Sequence, residues 1–240
     1  MRIVLNLLNF KFYIIALSES KIVQGTQPII DIGLNGYHVP IGTPTEASKG
    51  GVLLYISNEL NFKPHPDLNI YQEKGAESTF VEIVNKNKSN SIVGVIYRHP
   101  SMCEEEFNEN FLRNLIHKFH NENNQNIYIA GYFNFDLIKI SDHQATADFY
   151  DLLTSNFLLP MVLLTTKMNS RIDTLIDNIF TNHFNPDTVS GNLTLAISDH
   201  HLIFSQTLTK ITFPKNITFI NVIVLISKTM KISCFSEKIL

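Results

Sequence analysis

The chain has 240 residues, 44% of them hydrophobic, enough to bury one substantial core without division into two globular units. Its 19 basic and 22 acidic residues leave a formal charge of −3, which excludes a general basic field for nucleic acid or an anionic membrane and confines any such contact to local lysines and arginines. Two cysteines, Cys103 and Cys234, stand far apart without metal-ligand spacing, so neither a disulfide framework nor a zinc site is expected and a reducing compartment is the default.

At the start, Asn6, Asn9 and Lys11 interrupt the run that would have to be the apolar centre of a secretory leader, so no signal peptide is expected and the chain is assigned an intracellular place, nuclear or cytoplasmic. An apolar run, "YIIALSES", then ends in Glu19. Gly51–Ser57, Ser78–Val84 and Ser91–Tyr97 are short and rich in β-branched and aromatic residues, the pattern of strands. The loop "NKNKSN" joins the last two closely enough for a hairpin, hence antiparallel neighbours. From Glu104 to His120 the period changes: Phe107, Phe111, Leu115 and Phe119 recur every fourth residue beside Leu112 and Ile116, an amphipathic helix with acids where its dipole favours them. Its aromatic stripe is expected in the core. A strand at Asn126–Ala130, a helix near Ala145–Ser155 and strands at Thr174–Thr181 and His201–Leu208 follow. Ile217–Ile226, apolar and β-branched, is far shorter than the roughly 20 residues of a membrane helix and is expected to be a buried strand. Sequons at Asn87, Asn192 and Asn216 lack a secretory context and carry no weight.

Strand-rich stretches with interleaved helices, and no repeat or linker between halves, predict a layered α/β sandwich of two packed sheets with helices outside. Polar residues mark the apolar runs: Glu19 and Tyr97-Arg98 end two of them, Asn134 follows "IYIAGYF", Asp177 lies inside "TLIDNIFTN" and Asp199-His200 precedes "HLIF". Each has an ordinary structural explanation when taken singly, as a loop acid, an interface aromatic or a turn former. Converging on one rim, they would form a site for metal-assisted phosphodiester chemistry, with carboxylate oxygens for magnesium and hydrogen-bonding groups for phosphate.

In this order they resemble the endonuclease/exonuclease/phosphatase superfamily, most closely the endonuclease domains of non-LTR retrotransposon polyproteins. The resemblance is carried by "IIALSES", "KGGVLLYISNEL", "ESTFVEI", "VGVIYRHP", "IAGYFNFDL", "TLIDNIFTN" and "ISDHHLIF", and spans roughly residues 12 to 208. It implies a four-layer α/β sandwich of two mixed sheets flanked by helices, and magnesium-dependent cleavage of DNA, with manganese as a substitute ion. Glu19 matches the metal-binding glutamate, His200 the catalytic histidine and Asp199 its acidic neighbour near the metal. Asp177 matches the aspartate that orients the histidine, with Asp173 as a rival because the pattern can be slid onto it. Tyr97 matches a phenol on the phosphate, and Asn134 the asparagine of a glycine-aspartate-phenylalanine-asparagine motif.

This chain departs from that motif, writing Gly131-Tyr132-Phe133-Asn134. The aspartate expected to position or deprotonate water is replaced by a phenol titrating near 10, and Asp136 matches a second acid that commonly follows the motif. The family's first strand, which carries an asparagine, has no counterpart at suitable spacing, Asn6 and Asn9 being too near Glu19. Residues 1–208 are therefore expected to form the domain, short of its first strand, and 209–240 an unrelated tail. The implied function is a DNA endonuclease of retrotransposon origin impaired at Tyr132. The alternative is a non-catalytic remnant that keeps the fold and at most binds DNA or protein, and a phosphatase is a third reading, since fold does not fix substrate. DNA is the implied partner; no membrane and no obligate protein partner is expected, and the chain is taken as a monomer.

Overall fold

The computed structural model describes residues 12–22, 32–43, 45, 50–85, 89–122, 125–167, 173–194 and 199–207, with the backbone of 220–226. Asn6, Asn9, Asn87, Asn216 and Cys234 lie outside these residues. The described residues form two sheets. The first contains β1 (Ile14–Ser18), β2 (Ile41–Thr43), β3 (Val52–Ile56), β11 (Val189–Leu193), β12 (Leu202–Thr207) and β13 (Ile220–Ile226), in the spatial order β11-β12-β13-β1-β3-β2. The second contains β4 (Phe62–Pro64), β6 (Ala76–Ile83), β7 (Ser91–Arg98), β8 (Asn126–Tyr132), β10 (Asp177–Thr181) and β9 (Leu159–Pro160), in that order, with β5 (Ile70–Tyr71) also paired to β6. Both sheets are mixed: β1 runs parallel to β13 and β7 parallel to β8, while the other pairings are antiparallel.

The two-residue period of a strand divides the core into layers. Ile14, Ala16, Val52, Leu54 and Ile56 face the second sheet and join its buried residues in one cluster. Ile15, Leu17, Leu53 and Tyr55 face the opposite way, into a smaller cluster with Phe12, Ile22 and Ile32. On the outer side of the second sheet lies helix α1, which is α-helical at Glu104–Glu106, π-helical at Phe107–Leu112 and α-helical again at Arg113–His120. A stripe repeating every fourth residue drifts around a helix of 3.6 residues per turn. The wider i→i+5 turn absorbs part of that drift, and Phe107, Phe111, Leu115 and Phe119 are all buried. Helix α2 (Gln144–Thr154) packs beside it through Phe149, stacked on Phe135 at 4.4 Å between ring centroids.

Two expectations are revised. The strand expected from Thr174 begins at Asp177, because the Leu175 and Ile176 carbonyls accept bonds from the Leu137 and Phe133 N–H groups and so serve the loop after β8. The apolar run near 220 does not lie apart as a tail. As β13 it stands between β1 and β12, pairing Ile14–Ser18 on one side and Ile203–Thr207 on the other. It thereby joins two strands of the first sheet that have no other direct link in the strand order.

Candidate active site

Strand direction decides which residues meet. β7 and β8 are parallel and end at the same edge, and β10, antiparallel to β8, begins there. In the other sheet β1 ends, and β12, antiparallel to β13 and so to β1, begins at the matching edge. Glu19, Tyr97, Tyr132, Asp177 and His200 therefore collect on one rim. Register sharpens this: Glu77 lies opposite Tyr97, Tyr97 opposite Tyr132, and Tyr132 opposite Asp177. Cross-strand partners point to the same face. Four strands thus present a row, Glu77-Tyr97-Tyr132-Asp177, all of it buried.

Hydrogen bonds cross between the sheets at this row. The Tyr97 hydroxyl donates to Glu19 Oε1 at 2.8 Å. His200 Nδ1–H donates to Asp177 Oδ2 at 2.9 Å, with both side chains fully buried. The carboxylate thereby fixes the ring's tautomer and orientation. Burial raises the Asp177 pKa and the bond from His200 opposes that rise. Asp177 is also held by its main chain, whose N–H donates to Thr166 Oγ1 at 3.2 Å. Asp173, the rival in sequence, is exposed and lies outside β10.

Tyr132 fills the space between these pairs. Its ring centroid is 5.6 Å from that of Tyr97 and 4.9 Å from that of His200, the latter edge to face. Burial pushes its phenol pKa up, and Asp177, Glu19 and Asp199 push it further. The Tyr97 phenol is raised likewise by burial and then by Glu19. Both hydroxyls keep their protons at neutral pH.

The loop after β8 is anchored from both sides. Phe133 and Phe135 enter the aromatic cluster around Phe149, and between them Asn134 adopts φ 58°. Arg98, buried beside Tyr97, donates from Nε to the Phe133 carbonyl at 2.7 Å and from Nη2 to the Asn134 carbonyl at 2.8 Å, and lies 4.4 Å from the Phe135 ring centre. Asn134 returns a bond from Nδ2 to the Arg98 carbonyl at 2.6 Å. Asp136 accepts from the N–H groups of Ile138 and Leu175, so it braces the loop.

Asp199 precedes His200 where the chain bends, and its carboxylate is 43% exposed and 3.8 Å from Lys167 Nζ. Its charge reaches Tyr132, whose phenol pKa it helps to raise. Among the described residues no three histidine, cysteine or acidic groups form a metal cluster. Glu19 passes a test of fit: its Oε2 is buried and has no hydrogen-bond partner, while Oε1 is taken by Tyr97, and Asp177 Oδ1 is likewise buried without a partner while Oδ2 is taken by His200. A single hard oxygen of this kind suits magnesium, which is often held by one or two carboxylates, waters and a substrate phosphate.

Two residues at the rim went unassigned in the sequence. Arg98 acts on main-chain carbonyls, which leave no pattern to find. Glu77 opens the strand run "ESTFVEI", and a carboxylate in so apolar a strand was the available signal. Burial raises its pKa to about 7 against the lowering effect of a bond from the Gly51 N–H.

No protein-family model matches the chain, and no curated protein matches it. Solved structures do. An endonuclease/exonuclease/phosphatase family protein from Bacteroides thetaiotaomicron superposes with a TM-score of 0.55 at 15% identity, covering 83% of this chain and 85% of that one. A family protein from Leptotrichia buccalis gives 0.54 at 14% identity, over 82% and 87%. The endonuclease domain of TRAS1, a telomere-specific non-LTR retrotransposon, gives 0.50 at 12% identity, over 70% and 84%. The chain therefore has the α/β-sandwich fold of the endonuclease/exonuclease/phosphatase superfamily.

Proposed function

We propose that the rim is a phosphodiester-hydrolysis site of the endonuclease type, acting on DNA and held at low activity by Tyr132. The observation that carries this reading is the pair of cross-sheet bonds, His200 to Asp177 and Tyr97 to Glu19, at an edge where phosphate-active neighbours share the fold. His200, oriented by the bond from its Nδ1–H to Asp177, would turn Nε2 toward the phosphate and donate to its oxygen or to the leaving group as the imidazolium. Glu19 would hold a magnesium or manganese ion, which supplies Lewis-acid polarisation of the phosphate when bound. Tyr97 steadies that carboxylate. Tyr132 cannot replace a general base, since its phenol stays protonated, and its ring lies where the water-positioning group of the motif is expected. Absence of a general base costs about 10² to 10⁴ in rate. With a net charge of −3, DNA contact depends on local cations such as Lys167 beside the rim.

A second reading is favoured by Tyr132 itself: a non-catalytic domain that keeps the fold and binds without turnover. Plasmid nicking separates the two. Tyr132→Asp should raise magnesium-dependent nicking at least about tenfold, while Tyr132→Phe leaves it unchanged and His200→Ala abolishes it. A parent that nicks well and loses activity in Tyr132→Phe would make the tyrosine a working group and overturn the impaired-enzyme reading. Inactivity of both the parent and Tyr132→Asp would favour the binding domain.

A further inference from the structure

We infer that Glu77 is a positioning residue for Glu19, acting through the Gly50-Gly51 turn. The inference rests on the reading of Glu19 as the ion-holding carboxylate, and it extends the site to a residue that this reading does not use. Glu19 sits just past the end of β1 with φ 53°, outside the ladder that holds β1 to its neighbours. A residue without a side-chain ring or branch to lock it, in a left-handed conformation, needs its flanks fixed. One flank is β1 itself. The other is Ser20-Lys21, whose N–H groups donate to the Gly51 and Gly50 carbonyls at 2.9 and 2.8 Å. Lys21 is left-handed too, at φ 57°.

The turn that receives those bonds is itself held by Glu77. The Gly51 N–H donates to Glu77 Oε2, and the packing leaves no room for anything else: a Cβ on Gly50 would come within 2.6 Å of Glu77 Oε1. Both glycines have positive φ, 103° and 84°, so the turn has little intrinsic preference for its shape and takes it from these contacts. Glu77 in turn is fixed at the end of the Glu77-Tyr97-Tyr132-Asp177 row, opposite the Tyr97 whose hydroxyl reaches Glu19. Glu19 is thus gripped twice from the second sheet. Tyr97 holds its carboxylate directly, and Glu77 holds its main chain through Gly51 and Ser20. The chemistry required of Glu77 is an acceptor of the right reach. A negative charge is not required.

Three variants separate reach from charge. Glu77→Gln keeps an acceptor oxygen at the same distance, Glu77→Asp keeps the charge but draws it back by one methylene, and Glu77→Ala removes both. The first measurement is amide hydrogen exchange at Ser20 and Lys21, with amides of the β7–β8 ladder as the internal standard. Glu77→Asp and Glu77→Ala should speed exchange at Ser20 and Lys21 about tenfold or more relative to that standard, and Glu77→Gln should leave it within about threefold of the parent. The second is Mn²⁺ binding followed by the loss of the free-ion electron paramagnetic resonance signal. It should weaken in Asp and Ala and persist in Gln. If Glu77→Ala does not fold, Gln against Asp decides alone. Unchanged Ser20 and Lys21 exchange in Glu77→Asp overturns the inference, as does exchange in Glu77→Gln as fast as in Glu77→Asp, which would make the negative charge necessary as well as the reach. Absence of Mn²⁺ binding in every variant, with exchange as expected, would sink the metal reading of Glu19 and leave the positioning link standing.

Discussion

Removing residues 209–240 tests whether β13 is part of the fold. The strand pairs five residues of β1 in parallel and five of β12 in antiparallel register. Such a double ladder carries on the order of ten backbone hydrogen bonds. At a net ~0.5–1.5 kcal/mol each, their loss is worth ~5–15 kcal/mol, as much as the whole stability of an ordinary domain. The deletion would also leave β1 and β12 with bare edges and unfasten the strand led by His200 from the strand that leads to Glu19. Residues 1–208 should therefore express as an aggregating or molten chain, lacking a cooperative thermal transition by circular dichroism. A milder form is Val224→Pro, at the position that pairs Ala16 on one side and Ile203 on the other. Proline removes a ladder donor from an interior strand, so the melting temperature should fall sharply. A 1–208 protein that melts cooperatively at the parent's temperature would refute the assignment of β13 to the sheet.

Millimolar magnesium or manganese should raise the parent's melting temperature, by about 1.4 kcal/mol of stabilisation at tenfold excess over Kd, and should do nothing to Glu19→Ala. Identical curves with and without metal in both proteins would remove the ion from Glu19. His200→Ala should destabilise the protein by about 1–3 kcal/mol in urea unfolding, because it strands the buried Asp177 carboxylate, and an Asp177→Asn partner should recover part of that loss. Stability should also fall with pH. The folded state holds the Glu77 proton up to about 7 against an ordinary value of 4.5, so its contribution is full below 4.5, declines as pH rises to about 7 and is gone above. Melting temperatures between pH 5 and 8 should slope downward in the parent and lie flatter in Glu77→Gln.

How far the sequence reached depends on how local each determinant is. β3, β6, β7 and both helices were legible because burial on one or two faces imposes a period on their own residues. β2, β4, β5 and β9 were not, being two- or three-residue strands with half-buried or exposed positions, held by their neighbours' hydrogen bonds and not by any pattern of their own. At the rim, Tyr97 could be marked as a polar group at a strand end and Asp177 as an acid inside an apolar run, but the row they form with Glu77 and Tyr132 exists only in cross-strand register. The strand run near 220 was legible as a strand from its composition, but nothing in that composition says which strands it lies between.

The row also explains why the tyrosine at position 132 is compatible with the fold, and why, on the proposed function, it would oppose the chemistry. An aspartate there would lie directly between Tyr97 and Asp177, facing Glu19 across the sheets, and each nearby carboxylate would raise its pKa. Buried like charges are tolerable only when an ion or a proton compensates them. Tyr132 removes that need: it fills the gap with a ring against Tyr97 and the edge of His200, and brings no charge. Stability and catalysis should thus move in opposite directions in Tyr132→Asp. The variant gives up aromatic packing and adds a buried acid, a loss of about 2–4 kcal/mol in metal-free buffer, and it should regain part of that loss when magnesium is added. The parent gains less from the same addition. A Tyr132→Asp protein no less stable than the parent without metal would mean that the position is open to water, and that the tyrosine ring does not seal the row.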